Sequence, residues 1–115
     1  MMESISEFEK YYLELLSYKD LDEESISFWQ SLVSKAIDYT SIRAIWSIYT
    51  TAQKSEKDNG RIIAHDAFVV NFHCYIRYLE SQGINIELCK SLDDDRKAIG
   101  DLANYIVFRE AIKNR

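Results

Sequence analysis

The segment from Arg61 to Gln82, RIIAHDAFVVNFHCYIRYLESQ, constrains the fold more than any other part of the chain. Plotted as a helix, it is apolar around most of its circumference, and its polar residues gather in one narrow stripe. A helix with so little polar surface must be enclosed by other helices rather than lie on top of them. The segment therefore predicts a compact helical bundle in which residues 61–82 form the central helix.

The scarcity of turn residues favours an all-helical chain. The 115 residues include no proline and three glycines, whereas sandwiches and barrels need many more residues that interrupt regular structure. A chain of this length is one domain. The predicted fold is an all-α, single-domain bundle of five helices spanning residues 1–115.

The apolar spacing places the helices before the central one. Ser4 to Glu7 has the pattern of a capping box, so the first helix should begin there and run to about Tyr18. Asp20 or Asp22 can cap the next helix. We expect a break near Thr40 that separates the second and third helices, and one bent helix through residues 23–57 is the alternative.

Glycines mark the expected ends of the later segments. The charged stretch Lys54–Gly60 is predicted to be a connector closed by a turn, and Gly83 to end the central helix. Residues 84–91 are predicted to be an extended link or one helical turn, and the three aspartates at 93–95 to open the last helix. Gly100 lies inside that helix, where it costs about 1 kcal/mol relative to alanine. We therefore expect the last helix to pack closely against the central one at Gly100.

Four polar side chains form the stripe on the central helix: Asp66, His73, Arg77 and Glu80. A carboxylate near an imidazole can tune a general base, and an arginine can hold an anion. The alternative is that the stripe is the solvated face that a helix in a bundle keeps, and we favour it because charged side chains are normally exposed. Asn71 lies on the opposite side, so we expect it to be buried and to set the helix register.

A second polar cluster is expected at one end of the core, where the close contact at Gly100 would gather His65, Asp66, Arg96, Asp101 and Asn104. Such a cluster suits either a pocket for a small ligand or a metal, or a satisfied hydrogen-bond network, which we favour. The chain has no HExxH and no paired CxxC motif, so no metal or cofactor is predicted.

The charge balance argues against nucleic-acid binding. The formal net charge is −5, which opposes association with phosphate backbones. Residues 32–49 have a faint helix-turn-helix pattern, but Arg43 is the one basic residue on its second helix. A helical DNA-binding or regulatory domain is therefore an alternative that we consider less favoured.

The chain shows no signal for export or membrane insertion. Its N-terminal residues lack a basic flank followed by an apolar run, and the longest apolar tract holds too many polar groups to span a membrane. Cys74 and Cys89 are then expected to be reduced thiols, with Cys74 in the core. We predict a cytoplasmic protein of a bacterial kind.

The aromatic content suggests a role in protein contacts. Eight tyrosines, five phenylalanines and two tryptophans are more than a small bundle is expected to bury, so some should line a groove or a dimer seam. We expect a small, acidic, non-enzymatic protein-interaction module that either self-associates or neutralises a basic partner.

Overall fold

The computed structural model describes residues 2–92 and 95–113, with residues 2–6 as backbone alone. The all-α bundle of five helices is confirmed, and the described residues contain no strand. In chain order the helices are α1 (Met2–Leu16), α2 (Glu23–Trp46), α3 (Thr51–Ser81), α4 (Glu87–Lys90) and α5 (Arg96–Lys113). No helix within the described ranges is both long enough and apolar enough to cross a membrane.

The start of α2 is held by Asp22, one of the two predicted caps. One oxygen of its carboxylate accepts a 2.8 Å hydrogen bond from the amide of Ser25, and the other accepts a 2.5 Å bond from the hydroxyl of Tyr78. The same side chain therefore caps α2 and ties it to α3. The start of α1 differs from the prediction, because helical backbone begins at Met2 and Ser4 lies inside the helix.

The predicted break at Thr40 is wrong, because α2 continues through it to Trp46. The hydroxyl of Thr40 donates to the side chain of Asn104 at 2.7 Å, so it bonds to α5 instead of competing for its own backbone. The break comes at residues 47–50. There Thr50 and Gln53 form a reciprocal capping box that starts α3. The alternative of one bent helix through residues 23–57 is also wrong, because the helix is interrupted at residues 47–50.

The predicted connector Lys54–Gly60 is also wrong, since it lies within α3. The capping box at Thr50 starts the helix before this segment, and Arg61 pairs with Asp58 one turn earlier at 2.7 Å. Gly60 has no positive φ, whereas Gly83 has φ of 80° and ends the central helix as predicted.

The segment after α3 follows the prediction of a link with one helical turn. Residues 84–86 have no regular structure, and α4 is a single turn. The carboxylate of Glu14 on α1 accepts hydrogen bonds from the amides of Leu88 and Cys89, at 3.2 and 2.7 Å. The expected opening of the last helix by Asp93 and Asp94 lies outside the described residues. Asp95 accepts a bond from the amide of Ala98.

The inner face of α3 forms the middle of the core, as predicted. Phe68, Phe72, Tyr75 and Leu79 are fully buried. The buried hydroxyl of Tyr75 donates to the carbonyl of Leu15 at 3.0 Å, which joins α3 to α1. These contacts confirm the central position of the segment 61–82.

The enclosure of α3 is incomplete, which differs from the expectation for this segment. Its outward face, formed by Ile63, Ala67, Val70 and Cys74, is open to solvent. Ile63 and Val70 are each 60% exposed, and Cys74 is exposed rather than in the core. The helices that pack against α3 are chiefly α2 and, less extensively, α5, and they leave this face uncovered.

The middle of the chain extends away from the core. Between Thr40 and Ala67 no residue is buried, and the molecule measures 48 × 28 × 28 Å along its principal axes. The second half of α2 and the first half of α3 therefore form a helical hairpin that is covered on few sides.

The aromatic residues turn inward more completely than their number led us to expect. Eight of the fifteen are buried, and only Phe108 is largely exposed. Tyr12 packs against Trp29 and Tyr105 with ring centroids 6.0 Å apart in both pairs. The exposed apolar surface is therefore mostly aliphatic, with Phe108 as its one largely exposed aromatic side chain.

Candidate functional site

Three of the predicted site residues meet where α3 crosses the start of α5. Nε2 of His65 lies 3.0 Å from the carbonyl oxygen of Arg96. Because a carbonyl only accepts, we assign the ring proton to Nε2, which leaves Nδ1 as an acceptor. The guanidinium of Arg96 approaches Nδ1 at 3.4 Å and forms an ion pair with Asp66. The cluster is a hydrogen-bond network that joins two helices.

Gly100 packs closely against α3 at this network, as predicted. A Cβ atom at Gly100 would lie 3.0 Å from Nε2 of His65 and 3.3 Å from the hydroxyl of Tyr39. The close neighbours are thus two side chains. The rings of Tyr39 and His65 meet edge to face with centroids 5.1 Å apart, so α2, α3 and α5 pack together at this point.

The other two members of the predicted cluster stand apart from the imidazole. Asp101 pairs with Lys97 at 3.5 Å, one turn away on α5. Asn104 bonds to Thr40 and borders a shallow depression beside Arg43. The structure therefore brings together His65, Asp66 and Arg96, keeps Asp101 nearby, and separates Asn104 from them.

A cleft of ≈ 380 Å³ opens above this network. We call it the basic cleft, because four of its nine lining side chains are cations: Arg43, Arg61, Arg96 and Lys97. The remaining lining residues are Tyr39, Ile62, His65, Asp66 and Asp101. Sequence reasoning missed the part played by Arg43 and Arg61, since they join the cleft only through the continuous α2 and the early start of α3.

The predicted polar stripe on α3 divides between two places. His73, Arg77 and Glu80 line a separate pocket of ≈ 200 Å³ beside α4, whereas Asp66 lies at the basic cleft. Glu80 pairs with Lys90 at 2.7 Å, so one member of the stripe joins α3 to α4. The structure does not bring Asp66 to His73, and a shared acid–base function of the four residues has no geometric support.

Cys89 also lines the pocket beside α4, but it is fully buried. Its thiol lies 3.3 Å from the carbonyl oxygen of Tyr11, to which it donates. Burial raises the pKa of the Cys89 thiol, and the nearby carboxylate of Glu14 raises this pKa further. The thiol is therefore held in its protonated form, which is the unreactive one.

An open apolar groove of ≈ 550 Å³ follows the outward face of α3. α2 contributes Phe28 and Lys35 to it, and Asn71 lies at its edge. The side chain of Asn71 accepts from the hydroxyl of Ser31 at 2.6 Å and donates to the carbonyl of Phe28 at 3.3 Å. Asn71 thus links α2 to α3 in one register, as predicted, although it is half-buried rather than buried.

Two other sequence patterns have a clear structural outcome. The faint helix-turn-helix over residues 32–49 is not formed, because α2 is continuous where the turn would lie. In the part of the chain that the structure describes, no three His, Cys, Asp or Glu side chains are grouped as a metal ion would require.

Comparisons of the chain with protein-family models, with curated proteins and with solved structures found no match.

Proposed function

We propose that this chain is a non-enzymatic protein-interaction module that self-associates through the outward face of α3. The observation that carries this proposal is the spacing of that face. Ile63, Ala67, Val70 and Cys74 follow one another at intervals of four, three and four residues, which is the spacing found along the seam of two paired helices. Both large side chains of the face are 60% exposed.

The sizes of these four residues favour a second copy of the chain as the partner. In an antiparallel pair centred between Ala67 and Val70, Ile63 faces Cys74 of the partner subunit, and Val70 faces Ala67 of the partner subunit. Each contact then joins a large side chain to a small one, which allows two helices to approach and fill space. A two-fold axis generates both contacts twice, as expected for a homodimer.

The groove beside the face supports the same arrangement. Its charged lining residues, Lys35 and Asp66, have opposite signs, so the groove itself adds no net charge to the contact. The seam covers twelve residues, or about 18 Å of helix. An interface of this length is a small one, at or below about 1,200 Å² in total. We therefore expect a weak, reversible dimer with a micromolar dissociation constant.

Sedimentation equilibrium at several concentrations tests this proposal. The average mass of the wild-type chain should rise towards that of a dimer, and Val70→Glu should keep the chain monomeric because it places a charge in the seam. Ile112→Glu is the matched control, since Ile112 is 48% exposed on α5 and should not affect association. A wild-type chain that stays monomeric into the high micromolar range, or equal effects of the two variants, would contradict the proposal.

Thiol cross-linking tests the direction of the pair. Ile63→Cys should form an intermolecular disulfide with native Cys74, because the antiparallel register puts these positions opposite each other. In the same register, the two native Cys74 residues are about 16 Å apart and should not cross-link. Rapid oxidation of the wild-type chain to a dimer linked through Cys74 would indicate a parallel pair and contradict the antiparallel arrangement.

We propose that the module acts in the cytoplasm, a reducing compartment in which the exposed thiol of Cys74 would stay free.

A further inference from the structure

The basic cleft concentrates positive charge in an acidic protein. Its four cations face two carboxylates, although the chain as a whole has a formal net charge of −5. Arg96 is matched by Asp66, and Lys97 by Asp101. The cleft is therefore positively charged although the protein as a whole is negatively charged, and a positively charged cleft attracts anions.

Arg43 is one of the two cations that these pairs leave over, the other being Arg61. It forms no ion pair with any residue in the described ranges, and its guanidinium stacks over the ring of Tyr39 at 5.9 Å from the ring centroid. Arg61 differs, because both Nε and Nη2 of its guanidinium bind the carboxylate of Asp58. The stacked guanidinium of Arg43 keeps its donors available at the cleft wall.

The floor of the cleft is held in place by packing. His65 is fixed between Tyr39 and Gly100, and its Nε2 is already bonded to the carbonyl of Arg96. The first residues of α5, Arg96 and Lys97, form one wall of the cleft. An anion that enters would meet donors on two sides and an aromatic surface below.

We propose that the basic cleft binds a small molecule that carries a phosphate group, with Arg43 as its main contact and Arg96 and Lys97 completing the site. A phosphate dianion can accept from two guanidinium groups at once, whereas a carboxylate has fewer oxygens and one charge. The volume of ≈ 380 Å³ leaves room for a phosphate and a small organic body. This proposal does not rest on the self-association proposed above, although Asp66 borders both the cleft and the groove.

Calorimetric titration at low salt tests the proposal with three probes: inorganic phosphate, phenyl phosphate and benzoate. The titration uses the Val70→Glu variant, which should be monomeric, so that the result does not depend on self-association. We expect saturable binding of phenyl phosphate and weaker binding of benzoate. Tighter binding of phenyl phosphate than of inorganic phosphate would identify a phosphate ester as the ligand, and equal binding would identify free phosphate.

Two arginine variants separate a defined site from general attraction. Arg43→Gln should weaken phosphate binding at least tenfold, about the loss expected for hydrogen bonds to a charged group. Arg77→Gln removes the same charge from an exposed position on α3 outside the cleft, and it should leave the affinity unchanged. Equal losses in the two variants, or the absence of saturable phosphate binding in the millimolar range, would overturn the proposal. Amide chemical-shift changes at Lys97 and Gly100 should accompany binding, and changes confined to other helices would overturn it as well.

Discussion

Nε2 of His65 lies 3.0 Å from the carbonyl oxygen of Arg96, and this hydrogen bond sets the position of α5 against α3. Gly100, one helical turn later, leaves room for the imidazole, since a Cβ atom there would lie 3.0 Å from Nε2. A residue that weakens its own helix therefore favours the close contact between two helices. The same contact fixes the position of His65, which forms the floor of the basic cleft.

Replacing Gly100 by leucine should destabilise the protein. The new side chain would force His65 and Tyr39 out of their positions, and overpacking of this kind costs about 1–3 kcal/mol. A thermal melt should show a midpoint lower by several degrees. Gly100→Ala is the milder comparison, since its gain in helix propensity offsets the tight contact. An unchanged midpoint for Gly100→Leu would contradict the close packing.

The other two glycines should respond to alanine in opposite directions. Gly60 lies inside α3 with nothing within 4 Å of a Cβ atom, so Gly60→Ala should raise the free energy of unfolding by about 1 kcal/mol. Gly83 has φ of 80°, so Gly83→Ala should lower it by about 1 kcal/mol. Urea unfolding measures both changes. A loss of stability in Gly60→Ala would favour the turn that the sequence predicted there.

The bond between Tyr78 and Asp22 should make stability depend on pH at both extremes. The hydrogen bond to Asp22 raises the pKa of Tyr78 to about 12, so its contribution is complete below the unfolded value of about 10 and is lost as the pH rises towards 12. The same bond, with that from the Ser25 amide, lowers the pKa of Asp22. The contribution of Asp22 is complete above about pH 4 and is lost as the pH falls through its lowered value.

Two substitutions isolate these effects in urea midpoints measured across pH. Tyr78→Phe should make the alkaline loss of stability less steep, and Asp22→Asn should make the acid loss less steep while it keeps a capping side chain. If neither substitution changes the pH dependence, the bond between these side chains does not contribute to it.

The two cysteines should differ sharply in reactivity. Cys74 is exposed, whereas Cys89 is fully buried and its pKa is raised by that burial. A disulfide-exchange reagent should therefore modify one thiol rapidly in the native chain and the second only after denaturation. Cys74→Ser should abolish the rapid phase. The rate at Cys74 should also fall as the protein concentration rises, because the proposed pair covers it.

The local rules of the sequence determined the helical class, the end of α3 at Gly83, the cap at Asp22 and the inner face of α3. These features depend on the spacing of apolar residues, on helix caps and on the conformational freedom of the backbone. All three are determined by residues that are close together in the sequence. Gly100 was informative for the same reason, since a weak helix former inside a helix indicates a close neighbour.

Only the tertiary structure decided where α2 ends, that Lys54–Gly60 is helical and that Cys74 faces solvent. The hydroxyl of Thr40 stays within a helix because Asn104, distant in sequence, accepts its hydrogen bond. Likewise, Arg43 and Arg61 join Arg96 in one cleft only through the packing of three helices. Periodicity shows that a face is apolar, but whether another helix covers it depends on how many helices the chain has to place around it.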